Sequence, residues 1–234
     1  MEYTADMLTL RYVLVMLLAF ALPARAIGLA DLTNQDAVAG LKSALVEGAG
    51  KAVQQLGQED GFLKNAKVKI PLPPKLKKVE KMMRTLGMGD QADALVTAMN
   101  RAAESAVPEA QTLLADSVKQ MSIQDAKQIL SGPTDAATQY FKRTTSAQLT
   151  DRFLPIVKQA TSKVQLAELY NNYAGKAASV GLLKSEDADL DRYVTQKALD
   201  GLYLQIAEEE KAIRKDPAGA ATSIVKRVFG AIGK

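Results

Sequence analysis

Residues 193–217 read YVTQKALDGLYLQIAEEEKAIRKDP, and the spacing of their apolar side chains decides what kind of fold the chain can adopt. Advancing about 100° per residue from Val194 brings Val194, Ala198, Leu202, Ile206, Ala212 and Ile213 onto one arc. Gly201 sits at the edge of that arc, where a missing Cβ suits a close helix contact. The stretch is therefore a helix with one buried face. Glu208 and Glu210 fall outside the arc, where they can pair with Lys211 and Arg214 as a solvated face. Glu209 lands inside it, beside Gln205. A carboxylate there needs a cation or several hydrogen-bond donors, so Glu209 is expected to point inward and meet Lys or Arg from another helix.

The same period recurs along the rest of the chain. Thr33-Asn34-Gln35-Asp36 resembles a capping box and opens a first helix through Val38, Leu41, Leu45, Ala49, Val53 and Leu56, ended by Gly57 and Gly61. Residues 64–74, KNAKVKIPLPP, hold three prolines and are expected to be extended from Lys64 to Pro74. Pro74 suits the first turn of a second helix through Leu76, Val79, Met83 and Leu86, stopped by Gly87. Further helices are expected from Asp90, from Pro108, from Ser122-Ile123-Gln124-Asp125 up to Gly132-Pro133, and from Thr134. Another starts at Thr144-Thr145-Ser146 and runs through Leu149, Phe153, Ile156 and Val157, with Pro155 projecting away from the stripe. One over 164–178 precedes the opening stretch, and one after Asp216-Pro217 follows it. No alternating strand pattern and no long low-complexity linker interrupts them. The expected fold is an all-α bundle of about nine or ten helices, forming a single domain over residues 27–234.

Composition agrees with helices and removes much chemistry. Of 234 residues, 47% are hydrophobic, yet only five are Phe, seven Tyr and none Trp, so Ala, Leu, Val, Ile and Met must build the core. There is no Cys and no His. Ser-His-Asp triads, Cys nucleophiles, disulfides, structural zinc and His-ligated iron are thereby excluded, and no cofactor is implied. Asp187, Asp189 and Asp191 begin like a calcium loop, but Arg192 and Ala198 stand where its Gly and Glu belong, so Asp189 or Asp191 reads better as a helix cap. Ser223-Ile224-Val225-Lys226 matches S-x-x-K without the companion motifs of a Ser-Lys enzyme. No metal site is expected.

Residues 7–26, MLTLRYVLVMLLAFALPARA, have the layout of a secretory leader: Arg11, an apolar run from Tyr12 to Leu22, Pro23, then Ala24-Arg25-Ala26. The apolar run is too short to span a bilayer, which takes about 20 residues. Glu2 and Asp6 are unusual before a leader and leave the start open between Met1 and Met7. Residues 1–26 are thus expected to be a signal peptide, cleaved after Ala26 to give a periplasmic or secreted protein. Nucleic acid is then not expected as a partner.

Charge is concentrated in one place. Lys64, Lys67, Lys69, Lys75, Lys77, Lys78, Lys81 and Arg84 face Glu80 alone within residues 64–84, although the whole chain carries only +4. Such a run either coats a solvated face or meets something anionic: lipid head groups, an acidic glycan or an acidic protein. Lys142 and Arg143, ahead of Thr144-Thr145-Ser146, offer a second anion site if a helix begins there, although ordinary capping explains the hydroxyls as well. The final segment, SIVKRVFGAIGK, is a small basic amphipath that suits either the bundle or a membrane surface.

Four strings, VKIPLPPKLKKVEK (68–81), MNRAAESAVPEA (99–110), DAATQYFKRTTSAQL (135–149) and the opening stretch, resemble an exported bacterial family, domain of unknown function 4197. The resemblance runs from about Leu32 to Phe229. It implies an extracytoplasmic helical protein with no established activity, and so no catalytic residues to transfer. Two functional expectations stand. The first is a non-enzymatic binding or interaction protein that uses the basic surface of residues 64–84. The alternative is an envelope hydrolase or transferase in which two carboxylates converge in a pocket.

Overall fold

The computed structural model describes residues 34–76, 80, 81, 84–87, 89–168, 170, 171 and 189–216. Among them, helices α1 (Asn34–Leu56), α2 (Gly89–Ala106), α3 (Ala110–Gln120), α4 (Ile123–Ser131), α5 (Ala136–Thr161) and α6 (Leu190–Lys215) carry the fold, and no strand is present. Helices α5 and α6 lie side by side with α2 packed on both, while α1 closes the bundle against α6 and α3. The core is one continuous cluster of Ala, Leu, Val, Ile and Met side chains around the fully buried Phe62, Phe141 and Phe153.

Among the described residues there are six such helices and not the nine or ten expected. One fewer arises at Thr144-Thr145-Ser146. Their hydroxyls do not cap a new helix; each donates back to a carbonyl four residues earlier, Tyr140 at 2.9 Å, Phe141 at 2.7 Å and Lys142 at 2.6 Å. Two expected helices are thus the single helix α5. Pro155 lies inside it on the exposed side, and Phe153 and Val157 stay buried. Pro74 opens only a three-residue 3-10 turn, Pro74–Leu76, and residues 80, 81, 84 and 85 are helical. The rest of that expected second helix, most of the one over 164–178, the leader, the Thr33 cap and the final amphipath lie outside the described residues.

Several local signals do what their chemistry requires. Ser122 and Asp125 form a reciprocal capping box at the start of α4, and Gly132 ends it. Asp189 caps α6 by accepting from the Arg192 N–H. Pro108 is the second residue of a 3-10 turn, Val107–Glu109, that leads into α3.

The segment between α1 and the 3-10 turn is less extended than its prolines suggest. Asn65 Oδ1 accepts from the Lys67 N–H at 3.1 Å and the Asn65 carbonyl accepts from the Lys69 N–H at 2.8 Å, so turns run to Val68 and only residues 69–73 are extended. From there on we call it the strap. Side chains alternate along it: Val68, Ile70 and Leu72 are buried while Lys67, Lys69 and Pro71 are exposed. Gly201 of α6 makes its close contact with this segment and not with a helix. A Cβ there would lie 2.7 Å from Phe62 Cε1 and 3.2 Å from Val68 Cβ. Gly201→Ala is therefore expected to cost about 1–3 kcal/mol by overpacking, measured by urea denaturation.

Candidate functional site

The three consecutive glutamates of α6 point to three different neighbours. Successive helical residues are about 100° apart, so Glu208, Glu209 and Glu210 fan across more than half the helix circumference. Glu208 Oε2 lies 2.7 Å from Lys67 Nζ, in the turn leading into the strap, and that cation holds its carboxyl below the usual range. Its expected partner Lys211 contributes only a longer-range attraction. Glu209 is 7% exposed and its Oε2 lies 2.7 Å from Lys51 Nζ of α1, the inward carboxylate and interhelical cation that the spacing predicts. Gln205, half-buried beside it, donates to Gln55 Oε1 of α1 at 2.7 Å and to Glu209 Oε1 at 3.4 Å.

Glu210 overturns the expectation of a wet face. It is 7% exposed, and its two oxygens accept from the Ala137 N–H at 3.1 Å, the Thr138 N–H at 3.0 Å and the Thr138 hydroxyl at 3.0 Å. Those are orphan donors in the first turn of α5, whose own N-cap residue Asp135 supplies no side-chain bond. The expected Arg214 pairing does form, at 2.9 Å, and Arg214 also donates to the Ile129 carbonyl of α4 at 2.9 Å. A carboxylate from one helix thus caps another, where Thr134 was expected to do so.

Two polar side chains of α2, missed by the sequence reading, fix the strap and its approach. Asn100 is fully buried; its Oδ1 accepts from the Ile70 N–H at 2.8 Å and its Nδ2 donates to the Ile70 carbonyl at 2.9 Å and to Val96 at 2.8 Å. One turn on, Glu104 Oε1 accepts from the N–H groups of Phe62 and Leu63, both at 3.0 Å, and Oε2 meets Arg101 at 2.6 Å. Arg101 continues to Asp60 at 2.8 Å. Their signal was available: Asn100 and Glu104 are four apart, hence on one face, in a helix whose other buried positions are Ala, Leu and Met.

The basic run is divided by these contacts. Lys64 pairs with Asp60 at 2.7 Å, Lys67 with Glu208, and Arg84 with Glu80 at 2.9 Å and Asp93 at 2.5 Å. Lys69 and Lys81 are exposed. Lys69 joins Arg84 in lowering the Asp93 carboxyl, with Arg84 the larger influence. Lys77 and Lys78 and the side chain of Lys75 lie outside the described residues. Lys142 and Arg143 do not flank a helix start. Lys142 lies over the Tyr203 ring at 5.7 Å, and Arg143 lies over Tyr140 at 5.5 Å and pairs with Asp125 at 3.1 Å.

A cleft of about 210 Å³ opens between α1 and the end of α6, lined by Glu47, Gly48, Lys51, Glu209, Ala212, Ile213 and Asp216. It is a concave place with carboxylates, as the hydrolase alternative requires. Glu209, however, turns one oxygen to Lys51 and the other to Gln205. No group of three or more His, Cys, Asp or Glu side chains suited to a metal occurs among the described residues.

Among the described residues, fold and site together define an all-helical bundle whose buried carboxylates serve its own helices and loops. Among the described residues no helix is long and apolar enough to cross a membrane. The chain belongs to the family described as Protein of unknown function (DUF4197), whose model matches residues 31–230. No curated protein and no solved structure matches it.

Proposed function

We propose that this protein is a non-enzymatic binding module, exported after removal of residues 1–26, that presents a basic face to an anionic component of the cell envelope. The observation that carries the reading is the Asn100 clamp on Ile70: it holds both backbone groups of one strap residue, so the alternation beside it keeps Lys67 and Lys69 outward. Binding surfaces gain from being set in advance, because ordering costs are met on folding. Lys64, Lys67 and Arg84 already have carboxylates within reach. The reading therefore rests on Lys69, Lys75, Lys77, Lys78 and Lys81. The carboxylate enzyme is less well supported, since Glu209 in the cleft is held as an ion pair.

The test is co-sedimentation of the protein, without residues 1–26, with vesicles of phosphatidylglycerol and phosphatidylcholine at rising salt. Binding is expected to fall steeply as screening increases, and to be lost when the five lysines are replaced by glutamate. Retention that ignores both salt and charge reversal would falsify the reading.

A further inference from the structure

An anion can meet this face as a soluble polymer or as a lipid surface, and the turn that ends the basic run distinguishes the two. Leu86 is 67% exposed, more than any other large hydrophobic side chain among the described residues. It sits at a turn closed by the Gly87 N–H donating to the Arg84 carbonyl at 3.2 Å, with Gly87 at a φ of 76° that favours glycine. A Cβ at Gly87 would have nothing within 4 Å, so that side of the turn is open.

The exposed Lys81 and Arg84 precede this turn, and Lys69 of the strap is near enough to Asp93, the partner of Arg84, to attract its carboxylate. Glu80 and Asp93 are both directed at Arg84 and leave that trio with a net negative charge, so the attraction has to come from the lysines of residues 64–84. A single exposed leucine is ordinary on a protein surface. An exposed leucine at a turn beside cations is what a bilayer interface accommodates, with the cations among head groups and the apolar side chain below them. A dissolved polyanion gains nothing from Leu86.

We infer that the partner of the basic face is a lipid surface with anionic head groups, and that Leu86 inserts into it. This rests on the anion-binding reading above. The chain has no Trp, so Leu86→Trp introduces one indole at the turn. Its emission is expected to shift to the blue on adding phosphatidylglycerol–phosphatidylcholine vesicles and to be quenched by brominated acyl chains. Leu86→Ala is expected to weaken vesicle binding about tenfold while leaving binding to inorganic polyphosphate unchanged. An L86W emission that stays put, or L86A binding vesicles as wild type does, overturns the inference. In either case retained, salt-sensitive binding to polyphosphate keeps the anion-binding reading, whereas loss of both ligands by the wild-type protein overturns the two together.

Discussion

Replacing Glu210 with alanine is expected to destabilise the protein by about 3–5 kcal/mol, the range for removing one member of a buried charged pair. Three donors lose their acceptor at once: the Ala137 N–H, the Thr138 N–H and the Thr138 hydroxyl. Arg214, whose side chain is only 14% exposed, loses its carboxylate as well. Glu210→Gln keeps one carbonyl acceptor and should cost less, about 2 kcal/mol, since hydrogen bonds to charged groups are the stronger kind. Glu209→Gln should cost least, about 1 kcal/mol or below, because its partner Lys51 is half-exposed. Chemical denaturation of the three variants gives the order directly. Equal effects at 209 and 210 would mean that Glu210 does not cap α5.

Asn100→Ala is the second large effect, expected at about 3–4 kcal/mol. The substitution leaves the Ile70 N–H and carbonyl without a partner in a fully buried place and opens a small void besides. Asn100→Asp should be no milder at neutral pH. Its carboxylate can still accept from Ile70 N–H but cannot donate to the Ile70 carbonyl. Hydrogen exchange adds a local readout, because the Ile70 amide should lose protection well before the amides near Phe153. An Asn100→Ala protein with unchanged stability and a protected Ile70 amide would show that the strap is held from elsewhere, for instance by Tyr193 donating to the Pro71 carbonyl at 3.0 Å.

Both large effects come from residues whose roles the sequence reading did not find, and the reasons are physical. A helical wheel assumes one buried arc, which suffices for Val194, Leu202, Ile206 and Glu209. Helix α6, however, packs against α5, α1 and α2, and meets the strap as well. Its buried arc is therefore wider than its apolar one, and Glu210 falls in the difference. The Thr-Thr-Ser run is ambiguous for another reason: the same hydroxyls cap a helix or bond back to the preceding turn, and the choice depends on neighbours distant in sequence. By contrast, the Ser122–Asp125 box and the Gly132 stop are satisfied within a few residues, so their spacing alone was enough, and for the α6 cap it narrowed the choice to Asp189 or Asp191. The same holds for the basic run, where the charge was visible but its division among Asp60, Glu208 and Asp93 was not.

That division bears on function. A chain without His or Cys has few catalytic groups besides carboxylates, Lys and Tyr. Four of its most buried carboxylates, Glu104, Asp191, Glu209 and Glu210, make internal contacts: Glu104 to the turn before the strap, Asp191 to Thr161, Glu209 to α1 and Glu210 to α5. The proposed binding reading draws instead on lysines such as the exposed Lys69 and Lys81.

The central structural claim, that α6 holds its neighbours through three successive carboxylates with Glu210 capping α5, is tested most directly by amide exchange at Ala137 and Thr138. First-turn amides of a helix normally lack intrahelical partners and exchange fast. In the wild-type protein both are predicted to be protected, and in Glu210→Ala both to exchange at least tenfold faster while the Leu149 and Phe153 amides keep their slower rates. Fast exchange at Ala137 and Thr138 in the wild-type protein would contradict the account.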